Sequence, residues 1–565
     1  MKKCSIDLTD LNAEQSSDFN RIYRESREEF GEFVGAVLSK NVKGSKVARF
    51  CSILASRNHF MSPFLIKLAH LKLVEEKLRE GEGLEVIVDS DDMCIALSQN
   101  FSKKGLELEM RSSFWDKVSE RWVVFCDFLK MIYWMLMMLS HRSQRRKAKV
   151  LERPSVTLVE TWFLTSSFSQ GTFRDRNYGS SYKELDESER ENLFFVPQIL
   201  PLRNWGYMIE KAHESEENFL FVHDFVGVSD YFWTLGQMLG MGLKSEPLHL
   251  SGVEVSAIVK KELWQRRFHL STALGLIHYR FAKRLGECGL DIPRYVDWFE
   301  NQPQDKGLHL GLREFLSDTE AVGYVGGIVD HDANQYMTPT MFEVEALPKK
   351  IALMGEGMMP RFVELSGRVD LEVAPAFRYG HLWRPHACTR EVVLIALPFV
   401  VPEARKMMSI VMEDVTLFDP EVSILVKLHP SLDHESLEHF LPGPALGQMK
   451  RVHGDFFEFL SQAKVLISSM SSVCMESVAL GVPTIVVNSG SGLDQKPIPT
   501  EVSDSLWREC KSGSDFQKVF HDLNGYSEGE IRQIEVLGDR VKREYFSPIE
   551  AERLRPFFGV SPREN

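Results

Sequence analysis

Val422–Leu428 reads VSILVKL and is closed by His429-Pro430. Further on, Val465–Ile467 opens the run VLIS, which continues into Ser468-Ser469-Met470-Ser471-Ser472. A helical stretch Val473–Leu480 (VCMESVAL), then Gly481-Val482-Pro483, then Thr484–Val487 (TIVV) complete the segment. Short β-branched runs separated by helix-length stretches describe a parallel sheet with crossover helices. Pro430 ends its strand and turns the chain. Gly481 permits a left-handed helix end or a close backbone approach, and Pro483 forbids continuation of the helix.

The same rhythm extends outward. Val392–Leu397 (VVLIAL) is a further strand with Pro398 behind it. Upstream, Leu84–Val88, Val156–Phe163, Phe194–Val196, Phe219–Val222, Arg294–Phe299 (RYVDWF) and Ala321–Val325 read as strands. Val253–Gly286 and Asp305–Phe315 read as helices. The class is α/β, with two Rossmann-like domains facing a cleft. The boundaries expected are 1–380, with a helical insertion near 112–150, then 381–540, and a tail 541–565 returning to the first domain.

With 565 residues, 44% of them hydrophobic and 26% charged, the chain is long enough for several well-cored domains. A net charge of −13 argues against a general nucleic-acid binder. Eight cysteines lie scattered without a CxxC pair, and the first residues lack an apolar signal core. A reducing, cytoplasmic setting is the expectation. Trp122–Leu139 is apolar but broken by Asp127 and Lys130, and the basic run Arg142–Lys149 follows it. Its uninterrupted part is too short to span a bilayer. Two readings stay open: a buried or interface helix, and peripheral contact with an anionic leaflet through 122–149.

Ligands of open α/β sheets bind beyond the carboxyl ends of the strands. His429 sits at one such end and the serine cluster at the next. Hydroxyls and free N–H groups opening a helix make a cradle for an anion. His429, Ser471 and Ser472 are therefore candidate phosphate ligands, Lys427 a supplementary charge, and Glu476 a ribose ligand one turn into the helix. Each feature alone has a bland explanation, as a strand end, a cap or packing. The order of all of them describes a nucleotide site. Asp89-Ser90-Asp91-Asp92 has the DxD form of a metal site, but strand-end and capping roles explain it, so no metal is expected.

These residues resemble the glycosyltransferases of the two-domain GT-B fold in bacterial surface-carbohydrate (capsule and O-antigen) biosynthesis. The His-Pro and Ser-Ser motifs are similar to those of bacterial sialyltransferases, capsule Kdo transferases and CDP-glycerol glycerophosphotransferases. Glu300–Phe315, Val322–Gly327 and Val373–Trp383 also look like this group, and the likeness covers roughly 290–500. The resemblance implies a cytidine-linked donor, CMP-sugar in particular, held by the C-terminal domain. It implies a glycan or lipid-linked glycan acceptor in the N-terminal domain, and a metal-independent reaction.

An inverting displacement needs a base for the acceptor hydroxyl. Glu300 is the first candidate, with Asp330, His331 and Asp175 behind it. Arg378 is placed either at the leaving group or in a hinge salt bridge. His429 and the serines would steady the departing phosphate. Three alternatives remain: a CDP-polyol phosphotransferase, a sugar-nucleotide epimerase, and a non-catalytic subunit of an assembly complex.

Overall fold

The computed structural model describes residues 4–561, apart from 82, 112–113, 169–171, 200–203, 329–336, 366, 386–387, 420, 433, 441–448, 489–491 and 495. The first 150 residues build a helical layer around a small parallel sheet of Cys4–Asp7, Leu84–Val88 and Leu106–Met110. Near its end this layer holds a long helix, α1 (Phe114–Ser140), followed by a short one, Gln144–Leu151.

The chain then enters a seven-stranded sheet. Its strands in chain order are β1 (Ser155–Phe163), β2 (Leu193–Ile199), β3 (Asn218–Phe219), β4 (Asp291–Trp298), β5 (Glu320–Val325), β6 (Lys350–Leu353) and β7 (Asp370–Val373). All pairings are parallel, in the order β7-β6-β5-β4-β1-β2-β3. Helices cover both faces of such a sheet, which is why its inner strands read as near-continuous apolar runs. Two covering helices, α2 (Leu270–Glu287) and α3 (Pro303–Phe315), pack unusually closely through Gly275, Gly307 and Gly311. A Cβ on Gly307 would overlap the Gly275 carbonyl, so only glycine lets these backbones meet.

The second sheet has six parallel strands: β8 (Val392–Ala396), β9 (Ser423–Lys427), β10 (Met449–Val452), β11 (Ala463–Ser468), β12 (Thr484–Val487) and β13 (Trp507–Cys510). Their order, β10-β9-β8-β11-β12-β13, reverses direction between β8 and β11. The first sheet reverses in the same way between β1 and β4. Both are therefore doubly wound, Rossmann-like sheets, and each reversal opens a crevice at its carboxyl edge.

The serine-rich turn leads into a helix, α4 (Val473–Ala479), and the chain later folds over it as α5 (Glu528–Tyr545). Gly481, at φ 65°, has no room for a side chain: a Cβ would lie 2.9 Å from Cα of Glu535 on α5. Left-handed backbone and close approach thus both operate at this glycine. After α5 the chain returns to the first sheet. Ser547 N–H donates to Met354 at 2.7 Å, Ala376 N–H donates to Ser547 at 2.8 Å, and α6 (Ala551–Phe557) follows. Phe557 enters an aromatic cluster with Tyr178, Tyr324 and Phe377, with ring centroids 4.8–5.9 Å from its own.

Some elements differ from the sequence reading. Phe219–Val222 is not one strand: β3 stops at Phe219 and a helical turn occupies Val222–Phe225. The strands β6, β7, β10 and β13, and Cys4–Asp7 and Leu106–Met110 of the first layer, are absent from the sequence reading. At Asp89–Asp92, Ser90 takes the cap position, whereas Asp91 was the expected cap. Asp92 is buried between Lys67 (2.6 Å) and Lys261 (3.2 Å), so its carboxylate is committed to structure.

Gly307→Ala should destabilise the first domain by about 3 kcal/mol, because both partners at the contact are backbone and neither can rotate away. Chemical denaturation of the variant against wild type measures this.

Candidate active site

The crevice of the second sheet lies between the ends of β8 and β11. Ser468 Oγ donates to the Ala396 carbonyl at 2.9 Å and is fully buried, so the first serine of the run ties the two strands together. Ser471 and Ser472 lie beyond it, half-buried at the mouth. The helix they open is α4, whose seven residues make fewer than two turns. A helix this short adds little macrodipole, so any anion here is met by hydroxyls and side-chain charge.

His429 is exposed in the turn after β9. Its Nδ1 accepts the Ser431 N–H at 3.2 Å and lies 2.8 Å from Ser431 Oγ. A backbone N–H can only donate, so in the neutral ring the proton sits on Nε2, which is left as a donor. Burial lowers the His429 pKa, and the charges of Arg176, Arg378 and Lys427 lower it further. The ring packs 5.8 Å from Phe399, which in turn lies 6.0 Å from Phe60 of the N-terminal layer. Both phenylalanines are exposed at the mouth.

Arg176 and Arg378 reach this histidine from the first domain and the connection between the sheets. Both arginines are exposed; partial desolvation still lowers the Arg176 pKa, as does the neighbouring Arg378, while Glu300 and Tyr379 oppose the shift. Like charges have been brought together, and among the described residues neither arginine forms an ion pair. Arg378 lies 5.9 Å from the Tyr379 ring, not in the hinge salt bridge that was one expectation for it. Both arginines line a cavity of about 710 Å³, together with Ser181, Arg174 and His381, whereas Lys427, His429, Ser471, Ser472, Glu476 and Glu300 are not among its lining residues. That volume suits a small-molecule ligand. Arg174 and Arg176, which flank Asp175 in FRDRNYG, are not among the residues that the sequence reading selects, although two arginines at this spacing are a local basic signal.

Asp175 itself is buried, and burial pushes its carboxyl up to about 6. It accepts from Thr161 Oγ1 and from the N–H groups of Asn177 (2.6 Å) and Tyr178 (2.7 Å). It therefore holds the arginine loop in shape, and it also lines the same cavity. Asp330 and His331 lie outside the described residues. Glu476, expected at a ribose, is engaged by His381 Nε2 at 2.8 Å, so one carboxylate oxygen is already bound to the hinge. Tyr379 sits beside Ser472 and Glu476.

Glu300 is exposed just past the end of β4, and Trp298 Nε1 donates to its Oε1 at 2.9 Å. Its backbone N–H donates to Asp305 Oδ2 (3.0 Å), which also accepts from Gln302 N–H (2.8 Å) to cap α3. Behind this cap lies a knot of buried acids. His309 Nε2 is 3.1 Å from Asp297 Oδ2, and neither side chain is exposed. On the adjacent strand Glu160 is 1% exposed, and neither of its oxygens has a hydrogen-bond partner. Burial drives the Glu160 pKa well up, helped by Asp305, Asp297 and Glu300; burial and Asp297 also raise Asp305. Burial without a hydrogen-bond partner thus favours the neutral form of Glu160.

This makes stability pH-dependent. Folding favours protonated Glu160, so its contribution is intact below the ordinary value of 4.5 and is lost as pH rises through the raised folded value. In Glu160→Gln that loss disappears. The difference in melting temperature should therefore shift in the variant's favour as pH rises from 4.5. A difference independent of pH would contradict a neutral Glu160.

No known family profile matches the sequence, and no curated protein does. Several solved structures align with the fold. UDP-GlcNAc 2-epimerase from Neisseria meningitidis, bound to UDP-GlcNAc, covers 68% of this chain and 98% of its own at 10% identity, TM-score 0.40. MurG from Acinetobacter baumannii covers 72% and 99% at 12% identity, TM-score 0.35. The wall teichoic acid polymerase TagF covers 77% and 96% at 11% identity, TM-score 0.35. What this cleft binds is decided by its own residues.

Proposed function

We propose that the protein is a glycosyltransferase of surface-polysaccharide assembly on the cytoplasmic side. It would move a sugar from a nucleotide donor, CMP-linked and of the Kdo or nonulosonic-acid type, to a glycan acceptor. One observation carries this reading. In a chain of net charge −13, Arg176 and Arg378 converge with Lys427 and His429 at the carboxyl edge of the second sheet. Arg176, Arg378 and His429 are exposed there with no carboxylate ion-paired to either arginine among the described residues, which suits a multiply charged anion, and a nucleotide phosphate is such an anion.

The donor phosphate lies against Arg176, Arg378, Lys427 and the Nε2–H of His429, with Ser471 and Ser472 supplying hydroxyls. Glu300 takes the proton of the acceptor hydroxyl, whose oxygen bonds to the anomeric carbon. The bond from that carbon to the phosphate oxygen breaks, and the electron pair leaves with the phosphate. Charge grows on the phosphate in the transition state, where the fixed cations stabilise it. They do so without a metal, and the reaction inverts the anomeric centre. Asp305 steadies the Glu300 backbone, and the Trp298 indole orients its carboxylate.

Calorimetry with CMP, CDP, UDP and GDP tests the binding half. CMP should bind most tightly. His429→Ala and Arg378→Ala should each weaken it about 10- to 100-fold, the worth of a hydrogen bond to a charged group. Binding of none of the four would overturn the proposal. A preference for CDP would point to phosphotransfer, and UDP or GDP to a hexose donor. Glu300→Gln should leave nucleotide affinity unchanged and lower kcat by roughly 10²- to 10⁴-fold.

A further inference from the structure

Helix α1 has apolar residues on two sides. On one, Met131, Trp134, Met135 and Met138 are at most 5% exposed. Trp134 meets Tyr231 edge-on at 6.1 Å and Phe128 meets Phe268 at 5.0 Å, so this side belongs to the core. On the other, Trp122, Phe125, Leu129, Tyr133 and Leu136 are 46–61% exposed. They recur at steps of three and four residues and so form a single stripe. The neighbouring helix Val228–Gly240 contributes Tyr231 to the inner contact and exposes Val228, Phe232 and Leu239, Phe232 by 71%. Two adjacent helices thus turn eight large apolar side chains outward, far more than scattered surface hydrophobics explain.

The surrounding charge identifies the occupant. Residues 121–149 hold seven basic residues and one acidic residue, in a chain whose net charge is −13. The acidic one, Asp127, is 3.5 Å from Lys130. Arg146 is committed to Asp224 at 2.6 Å, whereas Arg142, Arg145 and Lys149 are exposed just beyond the end of α1. An apolar stripe with basic residues at its end is complementary to an anionic lipid surface.

The same helix contains a stretch, Ser119–Ser140, long and apolar enough by composition to cross a bilayer. Crossing would strip Met131, Trp134, Met135 and Met138 out of the core, at a large hydrophobic cost. Lying flat keeps the inner side packed and buries only the outer one. We infer that this face docks the protein on a bilayer rich in anionic lipid, with α1 in the interfacial plane and Arg142, Arg145 and Lys149 against head groups. The inference is independent of the reaction at the cleft.

Flotation of the full-length protein tests it, with vesicles of phosphatidylcholine alone and of phosphatidylcholine mixed with phosphatidylglycerol. Wild type should float with the mixed vesicles and weaken as salt rises from about 0.05 to 0.5 M, as screening demands. Combined Trp122→Glu, Leu129→Glu and Leu136→Glu should abolish flotation while the circular dichroism spectrum stays unchanged. Combined Arg142→Ala, Arg145→Ala and Lys149→Ala should weaken it on the order of 100-fold. Failure of wild type to float, or undiminished flotation of the Glu variant, would overturn the inference. A stable wild-type dimer in light scattering that Leu129→Glu dissociates would also overturn it, by assigning the face to a second copy.

Discussion

The geometry of the cleft depends on one return of the chain. After completing the second sheet, residues 546–547 lie between the end of β6 and the connection joining the two sheets. Ser547 bonds to Met354 and Ala376, and the Trp383 indole donates to the Phe546 carbonyl at 3.1 Å. Irregular backbone must find hydrogen-bond partners when it is covered, and here the two domains supply them to each other. Gly355 and Gly357 make room for Tyr545, and Phe557 then fills an aromatic cluster on the first sheet. The second sheet is thereby attached at two points, through its entry and through its exit. This fixes which strand ends face one another.

Within that frame the cleft holds charge arrangements that no isolated domain would favour. Arg176 and Arg378 crowd one another, and His429 is held neutral beside them. Opposite, Glu160 and Asp305 are buried acids behind Glu300. Packing outside the cleft holds two of these segments in place: the Asp175 turn for Arg176, the α3 cap for Glu300. Perturbed groups concentrated at one crevice are what a charged substrate and a proton transfer require.

Exposed basic residues of this acidic chain stand at the cleft and at the end of α1. They serve different physics. In the cleft Arg176, Arg378 and Lys427 act on one side chain, His429, at short range. Beside α1 the cations are exposed and act collectively on a surface, where salt weakens them.

The inner strands were legible because burial on both faces forces an unbroken apolar run. VVLIA of β8 and TIVV of β12 could be placed from composition alone. The edge strands Met449–Val452 (MKRV) and Trp507–Cys510 (WREC) could not, since one side of an edge meets solvent and admits charge. The chemical types at the cleft were likewise readable in His429-Pro430 and the serine run, because a proline stop and hydroxyls before a helix are local signals. The partnership of Arg176 with Arg378, the capture of Glu476 by His381 and the outward turn of the Trp122 stripe were not. Each joins or separates residues according to how distant segments pack. A hydrophobic pattern specifies which face of an element is buried, but not what that face meets. The sequence alone therefore determined two layered α/β sheets and the chemistry at their edges. Only the tertiary structure decided which edges meet, because that follows from the close approach of backbones far apart along the chain.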